Sequence, residues 1–153
     1  MPLDPSFIGR TYPPTEPYEV GREKIREFAA AIGDANPAYT DVEAAKALGH
    51  PDVVAPPTFP FVLGFRAAAQ VINDPELGLD YSRVVHGDQK FAYTRPVRAG
   101  DLLSVTVSID AIKSLAGNDV LTVRGEVVDA GGEHVVTSIM TLVARAADEA
   151  GEE

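Results

Sequence analysis

The stretch FPFVLGFRAAAQVI, residues 59–72, is apolar at ten of its fourteen positions, and as a helix it would carry those side chains on every side. A helix of that kind is buried all round, so the remainder of the chain has to enclose it. Pro56 and Pro57 forbid an earlier start, and Thr58 is placed to cap. At about 1.5 Å per residue the segment is roughly 21 Å long, too short to cross a bilayer, and it carries Arg66. It reads as a core helix.

Downstream of the polar loop NDPELGLDYSR the period becomes two. Leu103, Val105, Val107 and Ile109 alternate with Ser104, Thr106, Ser108 and Asp110, and Leu121, Val123 and Val127 alternate with Thr122, Arg124 and Glu126. Residues 89–97 and 133–144 supply two more strands, and the turns RAGD, AGND and DAGGE offer Gly or Asn for positive φ. Four sequential strands with short connections predict an antiparallel meander. Upstream, Ile25, Phe28, Ala29 and Ile32 mark one face of a helix over 21–32, and a short helix over 41–48 follows, with Thr40 and Glu43 as a capping box and Gly49 as its left-handed stop. The expected class is α+β. A sheet with one apolar face wraps around the helix at 59–72, with the helices at 21–32 and 41–48 preceding it, and that arrangement is the hot-dog fold. Its edge strands are unpaired in a monomer, which favours a dimer. One domain is expected over 1–146, followed by an acidic tail at 147–153 expected to stay solvated and disordered.

Composition removes several functions. With 153 residues and no cysteine, the chain has one ordinary core and offers no disulfide, thiolate nucleophile or cysteine metal site. A net charge of −10 without a run of Lys and Arg argues against nucleic acid as a partner. The amino terminus MPLDPSFIGR lacks a basic region followed by an apolar core, so a cytoplasmic setting is expected, with no membrane partner. No two histidines stand at ligand spacing, so no metal is expected. Gly-x-Gly-x-x-Gly and Gly-x-Ser-x-Gly are both missing, so no nucleotide cofactor and no serine-hydrolase site are expected.

The link between the first two helices, IGDANPAYTD (32–41), carries the chemistry. Together, FAAAIGDANPAYTD, APPTFPFVLGF and HGDQKFAYTRPVRAGD resemble the MaoC-like (R)-specific enoyl-thioester hydratases and 3-hydroxyacyl-thioester dehydratases, in their amino-terminal dehydratase subtype. The resemblance covers roughly residues 5–145 of the chain. It implies that the Asp and His of a Gly-Asp-x-Asn-Pro-x-His signature handle water and the α-carbon proton of an acyl thioester. It also implies that backbone at the start of the central helix polarises the thioester carbonyl. Gly33, Asp34, Asn36 and Pro37 match this signature, but Tyr39 stands where the His belongs. An unperturbed phenol, with a pKa of about 10, is a poor base at neutral pH but a good hydrogen-bond donor. The resemblance is closest to the non-catalytic, substrate-holding subunit of heterodimeric 3-hydroxyacyl-ACP dehydratases.

The expected catalytic positions are therefore Asp34, Tyr39 and, as a substitute base, His86; the expected substrate-binding positions are Asn36, Pro57 and Thr58. Asp34 and Asn36 are also residues that simply hold turns, and Tyr39 can pack its ring between helices. His50 and His134 read as surface residues. Arg66 and Gln70 share one side of the central helix, and Lys90, Arg95 and Arg98 form the nearest basic cluster, available to a phosphate or equally to solvent. The expected ligand is an acyl-CoA or acyl-ACP thioester. The expected partner is either a second copy or a catalytic MaoC-like chain. A self-sufficient homodimeric hydratase using Asp34 with His86 or Tyr39 is the alternative. A hot-dog thioesterase is disfavoured because residues 59–72 contain no Asp or Glu to attack the thioester.

Overall fold

The structure is a computed structural model that describes residues 2–146; the tail expected at 147–153 lies outside the described residues. A short strand β1 (Tyr18–Glu19) leads into α1 (Arg22–Ala31), a 3-10 turn over Pro37–Tyr39, α2 (Val42–Ala47) and the central helix α3 (Pro60–Ile72). Four long strands follow: β2 (Val84–Tyr93), β3 (Leu102–Leu115), β4 (Asn118–Val128) and β5 (His134–Ala144). No helix among them is long and apolar enough to cross a membrane.

The sheet is antiparallel with order β1-β3-β4-β5-β2, and α3 packs across the inner face of β3, β4 and β5. This is the hot-dog arrangement, with one correction. β3, β4 and β5 form the expected hairpins, but β2 pairs with β5 at the far edge instead of continuing the meander beside β3. The physical reason lies between β2 and β3. There Val97 and Ala99 exchange backbone hydrogen bonds with Val53 and Ala55 (Ala55 N to Val97 O 2.8 Å, Ala99 N to Val53 O 3.0 Å), so the chain crosses the sheet end instead of turning back. The first long strand is also displaced, to 84–93 from the expected 89–97. Pro96 has no N–H to donate, and the Thr94 and Arg95 N–H groups both close onto the Val135 carbonyl, which ends the ladder.

The alternating positions read from the sequence are the core. Leu103, Val105, Val107, Ile109, Leu121, Val123 and Val127 are all 3% exposed or less. α3 approaches the sheet closely where small residues allow it: a Cβ added at Gly64 would stand 3.3 Å from Ser138 Oγ, and one at Gly125 would stand 3.3 Å from Val105. Contrary to expectation, α3 is not buried all round. Leu63, Ala67, Ala68 and Val71 face inward, while Phe65 is 39% exposed and Arg66 is exposed with its guanidinium over the Tyr18 ring. Phe65 stacks on Phe61, which stacks on His86 of the edge strand β2. The outward apolar face is thus continuous with an open sheet edge.

Two expected caps are also replaced. Asp41, not a Thr40–Glu43 box, caps α2, its carboxylate accepting from the Glu43 N–H at 3.0 Å. Thr58 does not cap α3 with its side chain; its carbonyl accepts from the Phe61 N–H at 3.1 Å. The helix starts at Pro60, whose ring is tolerated in a first turn. Gly49 takes the positive φ its position requires, 91°.

Candidate functional site

The turn after α1 is held by local bonds that its residue types dictate. Gly33 has φ 70°, the Asp34 N–H returns to the Ala29 carbonyl at 2.9 Å, and the Asp34 carboxylate accepts from the Asn36 N–H at 3.1 Å. Asn36 repeats the device two residues on, accepting from the Ala38 N–H at 3.0 Å and opening the 3-10 turn that carries Tyr39. Both polar side chains therefore shape the backbone while staying exposed. Tyr39 is 8% exposed. The Ala38 carbonyl accepts from the Val54 N–H, and Phe28 meets Phe59 edge-on at 5.4 Å, so the turn is fixed beside the start of α3.

Asp34 and Tyr39 do not form a full hydrogen bond by distance and angle, but they are close enough to be coupled. Burial first, then the negative charge of Asp34 and its weak hydrogen bonding, hold the Tyr39 phenol above its ordinary pKa. The phenol is neutral at physiological pH, and the local environment moves it away from the range where it could take a proton. It remains a donor.

A second phenol, absent from the sequence expectations, joins this group. Tyr93 is 38% exposed, and its hydroxyl donates to the Pro57 carbonyl at 2.6 Å. Burial raises its pKa strongly, and Tyr39 adds to the rise. Tyr93 thus ties the far end of β2 to the segment entering α3. With Pro56, Pro57 and Pro60 lacking an N–H, and Phe59 and Phe61 already donating to Pro56 and Thr58, the Thr58 N–H is left without an acceptor among the described residues. A cleft of about 240 Å³ opens beside it, lined by Ala55, Pro57, Tyr93, Thr94, Arg95 and Pro96.

The other candidates lie elsewhere. His86 stacks on Phe61, and along β2 it is seven residues from Tyr93, about 23 Å on an extended strand. The structure brings Asp34, Asn36, Tyr39, Pro57 and Thr58 to one end of the fold and leaves His86 at the aromatic seam. His134, expected as a plain surface residue, is half-buried, its ring nitrogens bonded to Thr94 and Thr137 at 2.6 and 2.7 Å. The basic cluster is also dispersed. Arg95 is taken up by Asp101 at 2.9 Å and Asp129 at 3.4 Å, and Lys90 stands 3.8 Å from Asp88. Among the described residues no group of three or more His, Asp or Glu side chains is placed to hold a metal ion. A larger hollow of about 530 Å³, lined by Leu3, Leu79, Arg83 and Arg145 among others, opens at the opposite end of the sheet and contains none of these residues.

The fold recurs in known proteins. Residues 6–138 match the model of the FAS1-like, dehydratase domain region. A solved MaoC-like dehydratase is 36% identical over 94% of this chain, with a TM-score of 0.87; this chain spans 44% of that protein. The chain belongs to the MaoC-like dehydratases. Within that family, the HadBC (3R-hydroxyacyl-ACP dehydratase) complex from Mycobacterium tuberculosis contains a chain 32% identical to this MaoC-like protein, covering 90% of it and 96% of its counterpart at a TM-score of 0.81. A UPF0336 protein of Streptomyces coelicolor is 75% identical over 98% of this chain and all of its own length. The residue pattern around Gly33–Pro37 therefore sits on the fold that the resemblance implied.

Proposed function

We propose that this MaoC-like chain is a subunit that binds an acyl thioester, acyl-CoA or acyl-ACP, and that a second hot-dog chain with an intact dyad supplies the proton carrier. The single observation carrying this reading is Tyr39: at the position of the dyad histidine it is a buried phenol whose pKa is pushed further up, partly by the very Asp34 it would serve. General-base catalysis typically contributes about 10² to 10⁴ in rate, so losing it removes most of what the turn could do alone. What remains suits binding. The free Thr58 N–H, just ahead of α3, is a donor for a thioester carbonyl, and the Tyr93–Pro57 bond holds that segment in place.

The partner surface is the open edge of β2 together with Phe61, Phe65 and His86. A ten-residue strand with one open edge, beside the exposed Phe65 and His86 rings, favours addition of another sheet. The related HadBC and ChsH1–ChsH2 structures are complexes, which supports a paired assembly here. Hydration of crotonyl-CoA by the purified chain tests the reading. The wild type should turn over slowly or not at all, and Tyr39→His, which restores an imidazole beside Asp34, should raise the rate by about 10² or more. A wild-type chain that is fast alone and loses its rate in Asp34→Asn would instead establish the self-sufficient hydratase.

A further inference from the structure

One buried side-chain polar atom among the described residues has no hydrogen-bond partner: Gln89 Oε1. Gln89 lies on the inner face of β2, opposite Met140, and its Nε2 donates to Ser138 Oγ at 2.8 Å and to the Lys90 carbonyl at 3.3 Å. Those two bonds fix the amide's orientation, since turning it over would set Oε1 against the Lys90 carbonyl. Ser138 sits directly beneath α3, close enough that a Cβ on Gly64 would reach its hydroxyl. The orphaned oxygen therefore lies in the seam between α3 and the edge strand. The stacked rings of His86, Phe61 and Phe65 stand over the same seam, and Phe91 continues it toward Tyr93. A buried acceptor left empty is costly, and in an apolar seam it prefers a visitor that brings a donor.

Gln89 precedes Tyr93 by four residues on the same strand face, which is about 13 Å. Tyr93 marks the thioester end of the proposed site through its bond to Pro57. We infer that Gln89 is a specificity-determining residue that favours acyl chains carrying a hydroxyl group remote from the thioester over plain saturated chains. This rests on the acyl-thioester reading given above. The chain runs from Thr58 along the inner face of β2, and its distal O–H donates to Gln89 Oε1. A plain chain of the same length leaves that oxygen buried and unpaired, and loses the corresponding affinity.

A twelve-carbon chain, with C–C bonds of about 1.5 Å, spans a comparable distance. The test is titration calorimetry of the full chain with dodecanoyl-CoA and with 12-hydroxydodecanoyl-CoA. The hydroxylated ligand should bind about tenfold tighter, the worth of one hydrogen bond to a neutral buried acceptor. In Gln89→Met, which keeps the volume and removes the acceptor, this preference should disappear while dodecanoyl-CoA binds at least as well as before. Gln89→Asn, which keeps the amide but shortens its reach, should lose the preference too. Equal affinities for the two ligands in the wild type overturn the inference and leave the acyl-thioester reading standing. Binding of neither ligand overturns that reading and the inference with it. A Gln89→Met chain with unchanged affinities but an altered oligomeric state also overturns it, because the oxygen's donor would then belong to a neighbouring chain.

Discussion

The Tyr93 hydroxyl, donating to the Pro57 carbonyl at 2.6 Å, ties β2 to the segment entering α3. Tyr93→Phe should cost about 1 kcal/mol in urea unfolding, the net worth of one hydrogen bond, and should weaken acyl-thioester binding. An unchanged affinity would show that the bond does not hold the binding segment. Tyr93 was not legible in the sequence, because its acceptor is 36 residues away and no local pattern encodes that meeting. Asp34 and Asn36 were, because their bonds close within two residues, to Asn36 N–H and Ala38 N–H, so residue type and spacing are enough. Asp34→Asn retains a side-chain oxygen for the Asn36 N–H and should leave stability within about 0.5 kcal/mol of wild type, so any loss of activity in that variant is chemical and not structural.

At the scale of elements, the strands were legible wherever one face is wet. β3 and β4 alternate cleanly because their outer side chains meet solvent while the inner ones meet α3. The placement of β2 was hidden for a different reason: strand order is decided by the 94–101 segment bonding to residues 53–55, a long-range pairing that period alone does not carry. α3 was legible as a helix but read as too deeply buried, since a run of apolar residues does not show that the side of the helix carrying Phe65 is left uncovered by the sheet. Its inward face is testable through the close approach at Ser138. Gly64→Ala should destabilise by about 1 to 3 kcal/mol, because the added methyl meets Ser138 Oγ at 3.3 Å and must push the helix away. Adding Ser138→Ala removes that oxygen and should recover part of the loss in a double-mutant cycle. Strict additivity would mean that the contact is relieved some other way.

For the whole molecule, the alkaline limit of stability follows from phenols whose pKa rises on folding. Tyr12, bonded to Asp74 at 2.7 Å, is pushed up to about 12, mainly by burial, and Tyr39 and Tyr93 are raised as well. A group whose pKa is raised on folding favours the native state below its unfolded value and loses that advantage as pH rises toward the folded one. Unfolding free energy should therefore fall as pH climbs above about 10, and Tyr12→Phe should flatten part of that fall in denaturation series across pH 9 to 12. Assembly is the other property of this scale. The central claim is that a paired hot-dog assembly acts where this chain alone does not, and it is tested most directly by dehydration of a 3-hydroxyacyl thioester. The assay compares this chain alone, a MaoC-like chain with an intact Gly-Asp-x-Asn-Pro-x-His motif alone, and the two copurified. Activity that appears or rises sharply only in the copurified pair, and that is lost when Phe65→Glu charges the exposed face of α3, is the predicted result. Full activity of this chain by itself, unchanged by any partner, would contradict it.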